Sequence, residues 1–230
     1  MFGLFGTGQE PEREPGQGVM VVARLNARVQ PLDRGDFYED PLDVELRQRA
    51  LGQVTGGGTQ LADEPDGIAF CDVEILAVDD TPSTLEQIAQ ILDGIGVPKG
   101  SRLMAEGQED VTFGRQEGLG LFVNGTDLPA EVYASSDINH VIAECERLMG
   151  GVGAKRGHWE GSRETAIYFY GESFAGMRDA IAGFVAEYPL LERARVVQIA
   201  CCLLYTSPSP RDISAYLVCR LLLEKGGGGG

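Results

Sequence analysis

His140 and His158 are the only histidines in the chain, and histidine is the side chain best suited to moving a proton near neutral pH. Neither has a partner close in sequence. His140 sits beside Val141, off the apolar stripe of a helix, where a solvent-facing position is expected. His158 adjoins Trp159, the single tryptophan, on a strand. A second grouping is Gly56-Gly57-Gly58, because successive glycines let backbone N–H groups converge on a phosphate. Its context opposes that use. A phosphate cradle opens a helix and is followed by Lys and Ser or Thr, whereas this triplet lies within or just after a strand. A bulge or a hairpin tip is the better expectation.

The third grouping sets tyrosines against carboxylates. If Ile167 and Phe169 face helices, alternation turns Tyr168 and Tyr170 to the opposite face of their sheet. The corresponding strand of the first half turns Asp72 and Glu74 the same way. Aromatic rings supply apolar area while hydroxyls and acids supply direction, so such faces suit recognition. They serve equally well as an internal interface through which the two halves join. The candidate binding residues are therefore Tyr168, Tyr170, His158, Trp159, Asp72 and Glu74. An enzyme using His158 with Asp72 or Glu74 would need those groups within about 3 Å of one substrate atom. No catalytic set, metal site or cofactor is assigned.

The cysteines Cys71, Cys145, Cys201, Cys202 and Cys219 form no matched CxxC pairs, which argues against a zinc site or a disulfide framework. Cys71 lies in a strand-like run and Cys145 on the apolar face of a helix. Both read as small buried hydrophobes.

The elements that must position these groups follow from periodicity. From Val19 to Val29 apolar residues alternate with Arg24, Asn26, Arg28 and Gln30, the pattern of a half-buried strand. A polar loop through Gly35 is expected next, then a short helix starting at Asp40-Pro41. Strands at 53–55 and 68–78 form a hairpin around Pro65 to Gly67. Thr84 is the expected cap of a helix carrying Leu85, Ile88, Leu92 and Ile95, and 102–105 is a closing strand. After a polar linker the order recurs: strand 119–123, a Ser136-capped helix with Ile138, Val141, Ile142, Cys145, Leu148 and Met149, strands 156–160 and 166–170, a Ser173-capped helix, and strand 195–200. A shift of 89 positions superposes Leu85, Ile88, Leu92 and Ile95 on Phe174, Met177, Ile181 and Phe184. Six elements in one order, met twice, imply an α+β fold of tandem duplicated ferredoxin-like (βαββαβ) units, with antiparallel sheets and helices on one face. The expected organisation is a flexible leader at 1–17, the first repeat at 18–106, a linker at 107–116, the second repeat at 117–200 and a non-native tail at 201–230.

Tyr38-Glu39-Asp40-Pro41-Leu42, Val54-Thr55-Gly56-Gly57-Gly58-Thr59 and Ala166-Ile167-Tyr168-Phe169-Tyr170-Gly171 give residues 19–200 a resemblance to bacterial hypothetical proteins without an assigned activity. That resemblance supports the repeat limits and brings no catalytic residues with it. From Cys202 the character changes. Leu203-Leu204-Tyr205-Thr206-Ser207-Pro208-Ser209-Pro210-Arg211-Asp212 and Ile213 to Lys225 resemble translated sequencing-adapter read-through, and Gly226 to Gly230 has the same origin on that reading. A real amphipathic helix at 213–224 is the alternative.

With 43% hydrophobic and 23% charged residues the composition is that of an ordinary globular chain. Its 35 acidic against 19 basic side chains give a net charge of −16, which repels phosphate backbones and disfavours nucleic acid as a partner. The start Met1-Phe2-Gly3-Leu4-Phe5-Gly6 lacks the basic residues and apolar run of a secretory signal, and no stretch is apolar enough to span a membrane. A cytoplasmic location is the expectation. The expected function is a non-enzymatic binding or regulatory module, of the acidic inhibitor or immunity type, for a basic protein partner. The alternative is an ACT-like sensor that binds a small metabolite at the junction of the repeats.

Overall fold

Alternating apolar side chains bring two antiparallel sheets together, one per half of the chain. The computed structural model describes residues 18–200, so the readings of 1–17 as a leader and 201–230 as a tail, Cys201, Cys202 and Cys219 included, lie outside the described residues.

In the first half, β1 (Val19–Leu25), β2 (Gly52–Leu61), β3 (Ile68–Ala77) and β4 (Ser101–Ala105) lie in the order β2-β3-β1-β4, and a short β5 (Val111–Phe113) extends the edge beyond β4. In the second, β6 (Glu117–Asn124), β7 (Gly153–Glu160), β8 (Glu164–Gly171) and β9 (Arg195–Ala200) repeat that order as β7-β8-β6-β9. All strand pairs are antiparallel. The helices are α1 (Pro31–Arg34) and α2 (Asp40–Gln48), with a π-helical turn at Gly35–Glu39 between them, α3 (Pro82–Ile95), α4 (Ala130–Ser135), α5 (Ile138–Met149) and α6 (Phe174–Glu187). The chain is thus a tandem duplication of the ferredoxin-like βαββαβ unit, with helices on one face of each sheet.

Each unit has its own helix-to-sheet core. In the first, Val21, Ala23, Leu25, Cys71, Val73 and Ile75 lie under Leu42, Leu46, Ile88 and Leu92. In the second, Leu119, Leu121, Val123, Ile167 and Phe169 lie under Val141, Cys145, Met177 and Ile181. The equivalence of Ile88 and Leu92 with Met177 and Ile181 survives in the core, all four being fully buried. Cys71 and Cys145 are free buried thiols, as their apolar settings imply. Burial holds the Cys71 thiol well above its ordinary value and pushes that of Cys145 up to about 12.

Several boundaries differ from the sequence reading. The first helical stretch begins at Pro31 rather than Asp40. Pro31 takes the first helical position after an extended Gln30, and the π turn brings Tyr38 into the buried line continued by Leu42 and Leu46. The caps move by a few residues: Thr81, not Thr84, accepts the capping bond of α3, from the Thr84 N–H, and Asp137, not Ser136, caps α5. Ser173 caps α6 as expected. The segment read as a linker contains β5, whose Phe113 is buried. The chain after it is stitched to the first unit by Lys99 and Arg115 backbone bonds to Gln116 and Val97.

The glycine triplet lies inside β2, opposite Glu74, Val73 and Asp72, just past a register shift between Val54 and Gly56. It is bulged strand and opens no helix. A Cβ built at Gly57 would come within 2.5 Å of the Asp72 carbonyl and 2.6 Å of a Glu39 carboxylate oxygen, where Glu39 pairs with Arg34 above the strand. At Gly58 nothing lies within 4 Å. Gly57→Ala is therefore expected to cost about 1–3 kcal/mol by overpacking, and Gly58→Ala to be near neutral, as read from urea denaturation midpoints. Equal effects at the two positions would contradict this placement.

Candidate binding surfaces

The sequence candidates separate into two places. Alternation along β8 turns Ile167 and Phe169 to the helices and Tyr168 and Tyr170 to the other side, and there the first unit covers them. Tyr168 is 0% and Tyr170 1% exposed, and both belong to the same buried cluster as the first unit's core, together with Phe122, Ala166 and Ala200. Of the two roles open to this face, the structure places the tyrosines in the internal interface and not on a solvent-facing recognition surface. The reason is area: an aromatic sheet face without helices is a large apolar surface, and the nearest cover is the other unit.

The cover comes from two loops of the first unit. After β1 the buried alternation continues through Ala27 and Val29. The Arg28 backbone N–H donates to the Tyr170 hydroxyl at 2.7 Å, and the Tyr168 hydroxyl donates to the Asp66 carbonyl at 2.8 Å in the β2–β3 hairpin. The Arg28 guanidinium, mostly buried, donates to Asp66 Oδ1 at 2.9 Å and stands over the Tyr168 ring at 5.8 Å. A buried guanidinium needs such a paired carboxylate to offset lost hydration. Gln30 Nε2 donates to the His158 carbonyl at 3.0 Å, and Arg156 stands over the Phe37 ring at 4.6 Å. Trp159 packs on the hairpin turn at Gly67, which has a left-handed φ of 65° and where any Cβ would collide with the indole. Burial pushes the Tyr168 hydroxyl up to about 12 and raises Tyr170 and Tyr38 further, while Arg28 lowers Tyr168 and Tyr170 in part.

Asp72 and Glu74 lie elsewhere, on the helix-free face of the first sheet. Asp72 accepts two hydrogen bonds from Arg24, at 2.9 and 3.0 Å, and Arg24 also covers the Phe70 ring at 4.1 Å. Glu74 is exposed. The tyrosines and these carboxylates therefore do not form one surface. His158 is tied into the junction through its backbone. His140 is exposed, against the rings of Phe184 and Tyr188.

Two concavities remain. A cleft of about 330 Å3 at the rim of the junction is lined by Glu64, Asn124, Asp127, Arg163 and Glu164. Its charges are largely engaged: Arg163 with Asp127, Glu164 with Arg195, and Glu64 as acceptor from the Ser162 backbone and hydroxyl. A larger groove of about 660 Å3 runs between α2 and α3, lined by the apolar Pro41, Val44, Ile91 and Ile95 and by the charged Asp36, Asp40, Glu45 and Arg49. Val44 is 53% exposed, high for a valine beside a core helix. Arg34, Arg47 and Arg49 of this helical stretch are each paired with a carboxylate of the same stretch, Glu39, Asp43 and Glu45. Among the described residues Asp36 and Asp40 are in no ion pair. The groove was missed in sequence, although Pro41 and Val44 form a second apolar row beside the core row Leu42 and Leu46, the available signal for an uncovered face.

Among the described residues no helix is long and apolar enough to cross a membrane. No family model and no curated protein matches the chain. Solved structures similar to it include an unknown protein from Galdieria sulphuraria (10% identity, TM-score 0.25, 80% of this chain and 98% of the other). They also include the first two RRM domains of the yeast poly(U)-binding protein Pub1 (10% identity, TM-score 0.22, 79% and 99%). A third is an anthrone oxidase-like protein (12% identity, TM-score 0.19, 81% and 95%). At these scores the fold rests on the chain's own strand orders.

Tyr170→Phe leaves the Arg28 N–H buried without an acceptor and is expected to cost about 1–3 kcal/mol in urea denaturation. Tyr168→Phe should cost less, because the Asp66 carbonyl still faces Arg28 Nη1 at 3.5 Å. In alkali the sign follows from raised folded values. The junction's contribution is intact below the unfolded tyrosine value of about 10 and is lost as pH rises through about 12. Tyrosinate absorbance from these residues should therefore appear together with loss of secondary structure. An early, structure-neutral rise accounting for every tyrosine would contradict the burial.

Proposed function

We propose that the chain is a non-enzymatic cytoplasmic binding or regulatory module that engages a basic protein partner, as acidic inhibitor and immunity proteins do. The observation that carries this reading is Asp36 and Asp40, in no ion pair among the described residues, beside a groove whose apolar lining includes the exposed Val44, on a chain of net charge −16. Opposite charge steers a basic partner to the surface and fixes its register, while apolar contact holds it there. The helix-free face of the first sheet supports the reading from the other side. Arg24 already covers Phe70 and is held by Asp72, so the aromatic ring there is not free to stack a base. Phosphate repulsion by the whole chain acts in the same direction.

A second reading, an ACT-like sensor of a small metabolite, draws support from the cleft at the junction rim. The two separate in one pair of measurements. The immobilised full chain is expected to retain basic proteins from lysate at low ionic strength and to release them when salt is raised. The sensor reading instead expects a metabolite at about 100 times its dissociation constant to add about 2.7 kcal/mol of stability. No salt-labile retention of basic protein, with such a metabolite shift, would replace the first reading by the second.

A further inference from the structure

We infer that the groove between α2 and α3 receives the apolar face of a cationic amphipathic helix supplied by the partner. This rests on the reading of the chain as an acidic module for a basic partner, and it names where and in what form that partner binds.

The floor is built from two helical rows. Pro41 and Val44 stand three apart on α2, and Ile91 and Ile95 stand four apart on α3, the spacings at which side chains line up along a helix. Two such rows with a trough between them accept the ridge of a third helix. An extended strand finds no counterpart here, because the trough is walled by helices whose backbone donors and acceptors are already used internally. Because α3 is 14 residues long, about 21 Å at 1.5 Å per residue, the seated helix spans about three to four turns.

The rim sets the occupant's charge and direction. Asp36 and Asp40 line the groove together with the Glu45–Arg49 pair, and Asp33 precedes them by a turn in sequence; among the described residues none of the three aspartates is in an ion pair. At the other end of α2, Arg49 is held by Glu45 through two hydrogen bonds. The helix α3 contributes no basic residue. The occupant therefore carries apolar residues at i, i+3, i+4 and i+7 and lysines or arginines on the flank that meets Asp36 and Asp40. An acidic or neutral helix would leave those carboxylates unanswered.

The test uses the full chain and a fluorescein-labelled peptide of about 18 residues, built of leucine and lysine to be amphipathic as a helix, beside a scrambled peptide of the same composition. The amphipathic peptide is expected to bind at least about tenfold more tightly than the scrambled one in fluorescence anisotropy. Val44→Lys, at an exposed position that leaves the core intact, is expected to weaken binding about tenfold. Asp36→Asn with Asp40→Asn is expected to weaken it less and to flatten its salt dependence. Circular dichroism of the variants should match the parent. Equal binding of the two peptides, or variants that bind like the parent, overturns the groove as the site. If basic proteins are still retained from lysate in that case, only the site falls. If they are not, the acidic-module reading falls with it.

Discussion

Burial of the helix-free face of the second sheet is the constraint on which the rest of the molecule depends. A ferredoxin-like unit covers one face of its sheet with helices and leaves the other open. In the second unit that open face carries Phe122, Tyr168 and Tyr170, too much aromatic surface to leave in water. The first unit covers it with the strand continuation at 26–30 and the β2–β3 hairpin. There the Tyr170 hydroxyl accepts from the Arg28 backbone N–H, the Tyr168 hydroxyl donates to the Asp66 carbonyl, and the Arg28 guanidinium donates to the Asp66 carboxylate. Because a buried donor or acceptor left alone costs more than a made bond contributes, this network fixes how the two units meet.

The cover is not reciprocal, and that asymmetry distributes the roles. The duplicated units share strand order and helix-side core, but the matching face of the first sheet holds Arg24, Asp72 and Glu74 and remains partly exposed. The second unit's tyrosines are committed to structure. On the first unit the acidic stretch from Asp33 to Glu45 borders a partly apolar groove that exposes Val44. Duplication thus left one copy as the packed support and the other as the candidate for recognition.

The order of elements was legible in sequence because short-range periodicity dictates it: alternation along β1, β3 and β8, and a helical period along α3, α5 and α6. The turning of Tyr168 and Tyr170 away from the helices followed from the same alternation. Their destination did not, since the partners Arg28 and Asp66 lie more than 100 residues away in the chain, and alternation is silent about what covers a face. The start at Pro31 was hidden because Gly35 reads as a loop residue, whereas a π turn accommodates it and carries Tyr38 inward. The strand β5 is short and flanked by polar residues, so its Val-Thr-Phe alternation carries little weight until β4 supplies a neighbour. The groove required knowing that α2 and α3 lie side by side.

Trp159, the single tryptophan, packs against the hairpin turn of the other unit, so its fluorescence reports on the junction while far-ultraviolet circular dichroism reports on the sheets and helices. Denaturation followed by both signals tests most directly whether the two units are held together through the buried tyrosine face. Coincident curves with one midpoint are expected, because separating the units exposes that face and removes the Arg28 and Asp66 partners at once. A fluorescence transition completed while the circular dichroism is still native would contradict it, showing that the units part without unfolding.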